Sequence, residues 1–152
     1  MKPGKKTERS ERMKSVEREY QVAERARAAL EKALVTHSDL LTSSGLDSID
    51  LRTYQNRLQD TYFIRLFAEF ETGLKDYWKN GLKGNPSTRI MDVIASVGAR
   101  HRIPDEMRIN VHAARKYRNT LIHEEDAQSE PITLADARRY LGKYFGRIPD
   151  DW

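Results

Sequence analysis

One segment of the chain combines three side chains that could act on a phosphate ester. The stretch YRNTLIHEED contains a guanidinium, an amide and an imidazole at Arg118, Asn119 and His123. A guanidinium is planar and binds phosphate or carboxylate oxygens in pairs. An imidazole titrates near neutral pH and can accept or donate a proton during catalysis. Because the chain has many arginines, this spacing alone is weak, and the surrounding residues have to support the interpretation.

A carboxylate in a distant segment faces the same core as this arginine. At about 100° per residue, Glu71 falls among Ile64, Phe67 and Trp78 on an apolar helix face. Arg118 also falls on the apolar side of its own helix. Since an unpaired buried charge costs roughly several kcal/mol, we expect the two side chains to pair. Architecture alone would also explain this pair, as a buried ion pair that pins two helices together.

Five helical segments would position these residues. Apolar residues spaced three and four apart predict two long and three shorter helices, over about 16–41, 51–82, 87–98, 104–122 and 133–145. Segments rich in glycine, proline and short polar residues separate them. The expected N-caps are Ser48 or Asp50 for the second helix, Ser87 for the third and Thr133 for the fifth.

These segments predict an all-α fold, an antiparallel bundle of about five helices of which two are long. We expect one domain over residues 13–148, preceded by a flexible basic arm over residues 1–12. The expected core consists of large apolar residues on the facing sides of the helices: Phe63, Phe67, Phe70, Leu74, Trp78, Val111 and Tyr144.

Composition narrows the classes of protein to consider. The chain of 152 residues contains no cysteine, which excludes disulfides and thiolate metal sites. Its charged start lacks the apolar segment of a signal peptide, and no stretch approaches the roughly 20 apolar residues that span a bilayer. We therefore expect a cytoplasmic protein that does not enter membranes.

Positive charge collects in two places. Residues 1–35 hold ten Lys/Arg against six Asp/Glu, which accounts for the whole net charge of +4. The segment from Arg89 to Arg118 contains seven basic residues and three acidic ones, so the candidate segment lies in basic surroundings.

The segment around Arg118 resembles the defining motif of the HEPN family. That motif is an arginine, four to six residues and a histidine, commonly with a polar residue after the arginine, here Asn119. The stretch TYFIRLFAEFETGLKDYWK is similar to the long HEPN helix whose acidic residue supports the arginine, a role that would belong to Glu71. The resemblance covers roughly residues 51–146.

The resemblance implies a metal-independent endoribonuclease without a cofactor. Arg118 would hold the scissile phosphate, and His123 would exchange a proton with the ribose 2′-hydroxyl or the leaving 5′-oxygen. Asn119 would orient the phosphate or the histidine, and Glu71 would fix the guanidinium.

The same resemblance implies the partners. RNA would contact the basic residues Arg108, Arg115 and Lys116 near the motif. The family usually works as a homodimer in which two motifs form one cleft, often in toxin–antitoxin or antiviral defence systems with an antitoxin or other partner protein.

Metal sites are a poor alternative. Three histidines are separated by eleven residues each: His101, His112 and His123. Eleven residues span about 16 Å along a helix, so His112 and His123 cannot share one ion within a single helix. Three consecutive acidic residues, Glu124, Glu125 and Asp126, are more typical of a solvated loop than of a cation site.

The main alternative function is a catalytically silent HEPN-like module. Such a bundle would bind a partner protein or RNA and use its basic first helix as an arm. Fold alone does not distinguish the two functions.

Overall fold

A computed structural model describes residues 4–123 and 129–152, which form five α-helices and contain no strand. The helices are α1 (Lys5–Thr36), α2 (Ser48–Asp76), α3 (Ile90–Arg100), α4 (Asp105–His123) and α5 (Leu134–Phe145). The predicted all-α bundle with two long helices is therefore confirmed. The acidic residues 124–126 lie outside the described residues. Within these ranges, no helix has an apolar stretch long enough to cross a bilayer.

The N-terminus of α2 is capped differently from our expectation. Asp47, rather than Ser48 or Asp50, is the N-cap, and its side chain accepts hydrogen bonds from the backbone of Ile49 and Asp50. The Asp50 carboxylate accepts in return from the Asp47 backbone, which completes a capping box. A carboxylate at this position also stabilises the positive end of the helix dipole.

Of the N-caps predicted for the two shorter helices α5 and α3, one is confirmed and one is wrong. Thr133 caps α5 as predicted, accepting from the backbone of Asp136 at 3.1 Å. Ser87 does not cap α3, because that helix begins at Ile90 after Arg89, whose side chain makes no capping hydrogen bond.

The first helix begins earlier than the sequence pattern predicts. Residues 5–12, expected to belong to a flexible arm, are the first turns of α1. Contacts with the C-terminal segment stabilise them: the Lys6 ammonium lies 2.6 Å from the Asp150 carboxylate, and the Lys5 backbone donates to the Asp151 side chain. These partners are remote in sequence, so helix periodicity could not reveal them.

The core lies where α2, α3, α4 and α5 meet. All the expected core residues except Trp78 are buried, with Val93, Ile94, Val97, Leu141 and Phe145 beside them. Trp78 is only partly buried and lies in the π-helical turn Tyr77–Gly81 that follows α2. Tyr77 takes the buried position instead, while the Trp78 indole covers Gly84 and donates to the carbonyl of Asn85 at 3.0 Å.

The distal halves of α1 and α2 extend beyond this core as an antiparallel hairpin. Met13 and Val16 are the buried residues of α1, and the first buried residue of α2 is Leu58. Most of the large exposed apolar side chains belong to the hairpin: Val22, Val35, Leu40, Leu46, Ile49 and Tyr54. The candidate segment lies instead on α4, which packs directly on the core half of α2.

Candidate functional site

Arg118 lies near the C-terminal end of α4 and reaches across to α2. Its Nη2 atom is 3.4 Å from Oε2 of Glu71, and the guanidinium carbon lies 4.7 Å from the centre of the Phe67 ring. The two charged side chains are 20% and 22% exposed, so the pair is partly buried, as helix periodicity predicted. The contact with Glu71 uses one nitrogen of a group that has five N–H donors.

Glu71 is shared between two cations. Its other oxygen, Oε1, is 3.0 Å from the Lys75 ammonium one turn further along α2. The carboxylate therefore holds Arg118 in place while Lys75 offsets part of its charge. This arrangement is suited to fixing a guanidinium, and it also joins α2 to α4.

His123 is the last residue of α4 and is exposed to solvent. Five residues of α-helix turn it about 140° away from Arg118 and place it about 7.5 Å further along the axis. Within one chain, the structure therefore does not direct Arg118 and His123 at the same point. Asn119 is partly buried and lies between them around the axis, about 40° from His123.

The predicted RNA-binding residues do not all share one face of α4. Arg108 and Arg115 lie with His112 and Asn119 on one flank of α4, because their spacing is four, three and four residues. We call these four residues the α3 flank. Lys116 is exposed, lies about 80° around the axis from Arg108, and lines an opening toward Pro131 and Tyr140.

Two observations place Arg108 and His112 of the α3 flank beside α3. A side chain at Gly98 would come within 2.6 Å of the Arg108 stem, so glycine permits the close approach of the two helices. A shallow cavity of about 320 Å³ beside them is lined by Ala95, Asp105, Arg108, Ile109 and His112. The Asp105 carboxylate pairs with Arg108 at its rim.

His112 belongs to this flank, and the sequence interpretation had considered it only as a metal ligand. Burial lowers the pKa of the His112 imidazole, and the nearby positive charges of Arg115, Lys116 and Arg108 lower it further. His112 precedes Asn119 by seven residues and His123 by eleven, so the helical period could have placed it with the motif. Within the described residues, no three histidine, aspartate or glutamate side chains cluster as metal ligands would.

Two further residues near the motif were not singled out from sequence. Phe67, expected only as core, supports the Arg118 guanidinium with its ring face. Tyr117 donates a hydrogen bond to Asp60 at 3.3 Å and packs edge-on against Phe63. Both contacts fix the α4 backbone on which Arg118 and Asn119 are carried.

No protein-family model, no curated protein and no solved structure is detectably similar to this chain.

Proposed function

We propose that this protein is a metal-independent endoribonuclease whose site is built from Arg118, Asn119, His123 and the supporting Glu71. The observation that carries the proposal is the environment of Arg118. This side chain is partly buried, held by one carboxylate oxygen and stacked on an aromatic ring, with donors left for a phosphate. Asn119 adjoins it, and an exposed imidazole ends the same helix.

The reaction is an internal transesterification. The ribose 2′-oxygen attacks the adjacent phosphorus and loses its proton to a general base, while the bond from phosphorus to the 5′-oxygen breaks. The leaving oxygen takes up a proton, which gives a 5′-hydroxyl and a 2′,3′-cyclic phosphate. Arg118 would stabilise the negative charge that develops on the phosphate oxygens. His123 would carry one of the two proton transfers.

A homodimer would complete this site. Because Arg118 and His123 diverge by about 140° on one helix, a second copy could supply the histidine that faces the first copy's arginine. Two imidazoles at one cleft would also provide both an acid and a base. The family resemblance supports a cytoplasmic role in toxin–antitoxin or antiviral defence, where a partner protein would restrain cleavage.

The same geometry supports a second candidate, a silent module that binds RNA or a protein. The Glu71–Arg118 pair joins α2 to α4. This structural role alone would explain why the two side chains pair, without any role in catalysis. In that case His123 would be an exposed residue that interacts with the helix dipole.

Cleavage of RNA by purified protein in excess chelator tests the proposal. We expect products ending in 5′-hydroxyl and 2′,3′-cyclic phosphate groups, and no cleavage of an all-deoxy oligonucleotide. His123→Ala should reduce the rate by roughly 100- to 10,000-fold, the usual contribution of general acid–base catalysis. Its effect on stability should be about 0.5 kcal/mol or less, as for other exposed positions.

His37→Ala is the matched control, because His37 is also exposed and follows the C-terminal end of a helix. It should cleave RNA at the rate of the unmodified protein. Undiminished cleavage by His123→Ala would exclude His123 from the proton transfers. No cleavage by the unmodified protein under any of these conditions would favour the silent module.

A further inference from the structure

The partly buried arginines differ in whether a carboxylate neutralises them. Six arginines of the described residues are neither buried nor fully exposed: Arg9, Arg27, Arg108, Arg115, Arg118 and Arg138. Five of these six lie within 4.0 Å of a carboxylate oxygen. The exception within residues 4–123 and 129–152 is Arg115, on the α3 flank.

An arginine in this position carries an energetic cost. Partial burial removes water from the guanidinium, and proteins usually offset that loss with an acidic partner. The Nε atoms of Arg108, Arg115 and Arg118 are all buried without a hydrogen bond in the described part of the chain, but only Arg115 of these three also lacks a carboxylate partner there. A bound anion would supply the missing counter-charge, and the strongest match to a guanidinium is a phosphate or carboxylate.

The surroundings favour an anion. Between Met107 and His123, α4 carries three arginines and a lysine and no acidic residue. Beside the larger effect of burial, the charges of Arg115, Lys116 and Arg108 all lower the pKa of His112, in line with a positive field around this residue. Asn119, one turn after Arg115, adds an amide that can donate to an oxygen.

We propose that Arg115, with Asn119 beside it, binds a second phosphate of the substrate, next to the phosphate held by Arg118. The inference rests on the proposed function. Arg115 lies about 4.5 Å from Arg118 along the axis and about 60° around it, so two guanidinium groups can follow one strand without crossing the helix.

The neighbouring cavity indicates that this strand is single. The space of about 320 Å³ beside α3 and α4 is lined by an imidazole and apolar side chains, His112, Ile109 and Ala95, and by the paired charges of Asp105 and Arg108. An unpaired base can enter such a space and stack on the imidazole, whereas a base inside a duplex cannot leave its stack without losing energy. The substrate class is therefore single-stranded RNA or an unpaired loop.

Salt dependence of binding tests the second phosphate contact. The probe is a fluorescent single-stranded RNA with 2′-O-methyl groups throughout, which lacks the nucleophile and cannot be cleaved. For a single strand, each neutralised phosphate contributes about 0.7 to the slope of log affinity against log salt. Arg115→Gln should reduce the magnitude of the slope by about this amount and weaken binding at low salt.

Arg25→Gln is the control, because Arg25 is exposed on the distal hairpin and forms no ion pair with any described residue. It changes the net charge equally and should leave the slope unaltered. Equal slopes for Arg115→Gln and the unmodified protein would overturn the inference. A comparable change in Arg25→Gln would also overturn it, because the effect would then come from net charge.

A second measurement needs no variant at Arg115. In the unmodified protein, the arginine Nε–H resonance of Arg115 should shift when the 2′-O-methyl RNA is added, and the signal of Arg25 should not. If the protein binds RNA through Arg115 but never cleaves it, the proposed nuclease fails and this inference stands. If it cleaves RNA while the Arg115 signal and slope stay unchanged, the inference fails and the nuclease stands.

Discussion

At the scale of single residues, the contact between Glu71 and Arg118 lies between a surface and a buried ion pair. Both side chains keep about a fifth of their exposure, and the shortest distance of 3.4 Å is long for a charged hydrogen bond. Glu71 also keeps Lys75 as a second partner. When Arg118 is replaced, the Glu71 carboxylate therefore still pairs with Lys75, which limits the loss of folding stability.

We expect Arg118→Met to lower the free energy of unfolding by about 1–3 kcal/mol, between the values for exposed and buried pairs. Part of this loss comes from the contact with the Phe67 ring. Urea denaturation measures it. The double variant Arg118→Met with Glu71→Leu should recover much of the stability and none of the cleavage.

The pair formed by Arg65 and Glu19 is the control for this prediction. It is shorter, at 2.7 Å, but both side chains are 47% exposed. Arg65→Met should therefore cost about 1 kcal/mol or less. If Arg118→Met costs no more than Arg65→Met and abolishes cleavage, Arg118 is catalytic without a measurable role in joining α2 to α4.

At the scale of elements, Asp76 joins the end of α2 to both termini of the chain. Its carboxylate accepts from Arg9 of α1 and from the Trp152 indole, each at 3.2 Å, and from Asn80 at 2.6 Å. Burial raises the pKa of Asp76, but the hydrogen bonds from Asn80, Trp152 and Arg9 outweigh it, and the pKa is lowered overall. The folded protein therefore favours the ionised carboxylate.

This shift determines how stability depends on acid. Since the folded pKa lies below the ordinary value of 3.8, the stabilisation from Asp76 is complete above that value and is lost as the pH falls through the folded pKa. Asp76→Asn should be less stable than the unmodified protein at pH 6, and the difference should shrink in strong acid. Thermal denaturation across this range measures it.

Asp39→Asn, in the exposed connection between α1 and α2, controls for the loss of one carboxylate. It should follow the unmodified protein at every pH. A constant difference between Asp76→Asn and the unmodified protein down to pH 2 would show that the Asp76 contacts do not depend on its charge.

At the scale of the whole molecule, Arg118 and His123 point in different directions from α4. The proposed mechanism therefore depends on a second copy of the chain that supplies the histidine. We expect a homodimer in light scattering at micromolar concentration. We also expect that a mixture of inactive Arg118→Gln and His123→Ala proteins regains part of the cleavage, because a mixed dimer pairs one intact Arg118 with one intact His123 across the interface. Two inactive variants that stay inactive when mixed, in a protein that forms dimers, would show that each chain builds its own site.

The local spacing of residues was sufficient to predict much of this fold from the sequence. The spacing of apolar residues predicted the five helices, and the same arithmetic placed Glu71 and Arg118 on facing sides, because the α-helix repeats nearly every 3.6 residues whatever surrounds it. Thr133 as an N-cap was predictable for the same reason, since its partner lies three residues away.

Only the tertiary structure decided the features that depend on partners remote in sequence. The first turns of α1 contact Asp150 and Asp151, and Tyr77 rather than Trp78 is the buried residue of its turn. The sequence predicted a basic α4 but not that Arg115 alone among the partly buried arginines described lacks a carboxylate. Charge pairing depends on which side chains meet in space, and one chain's local pattern does not encode that.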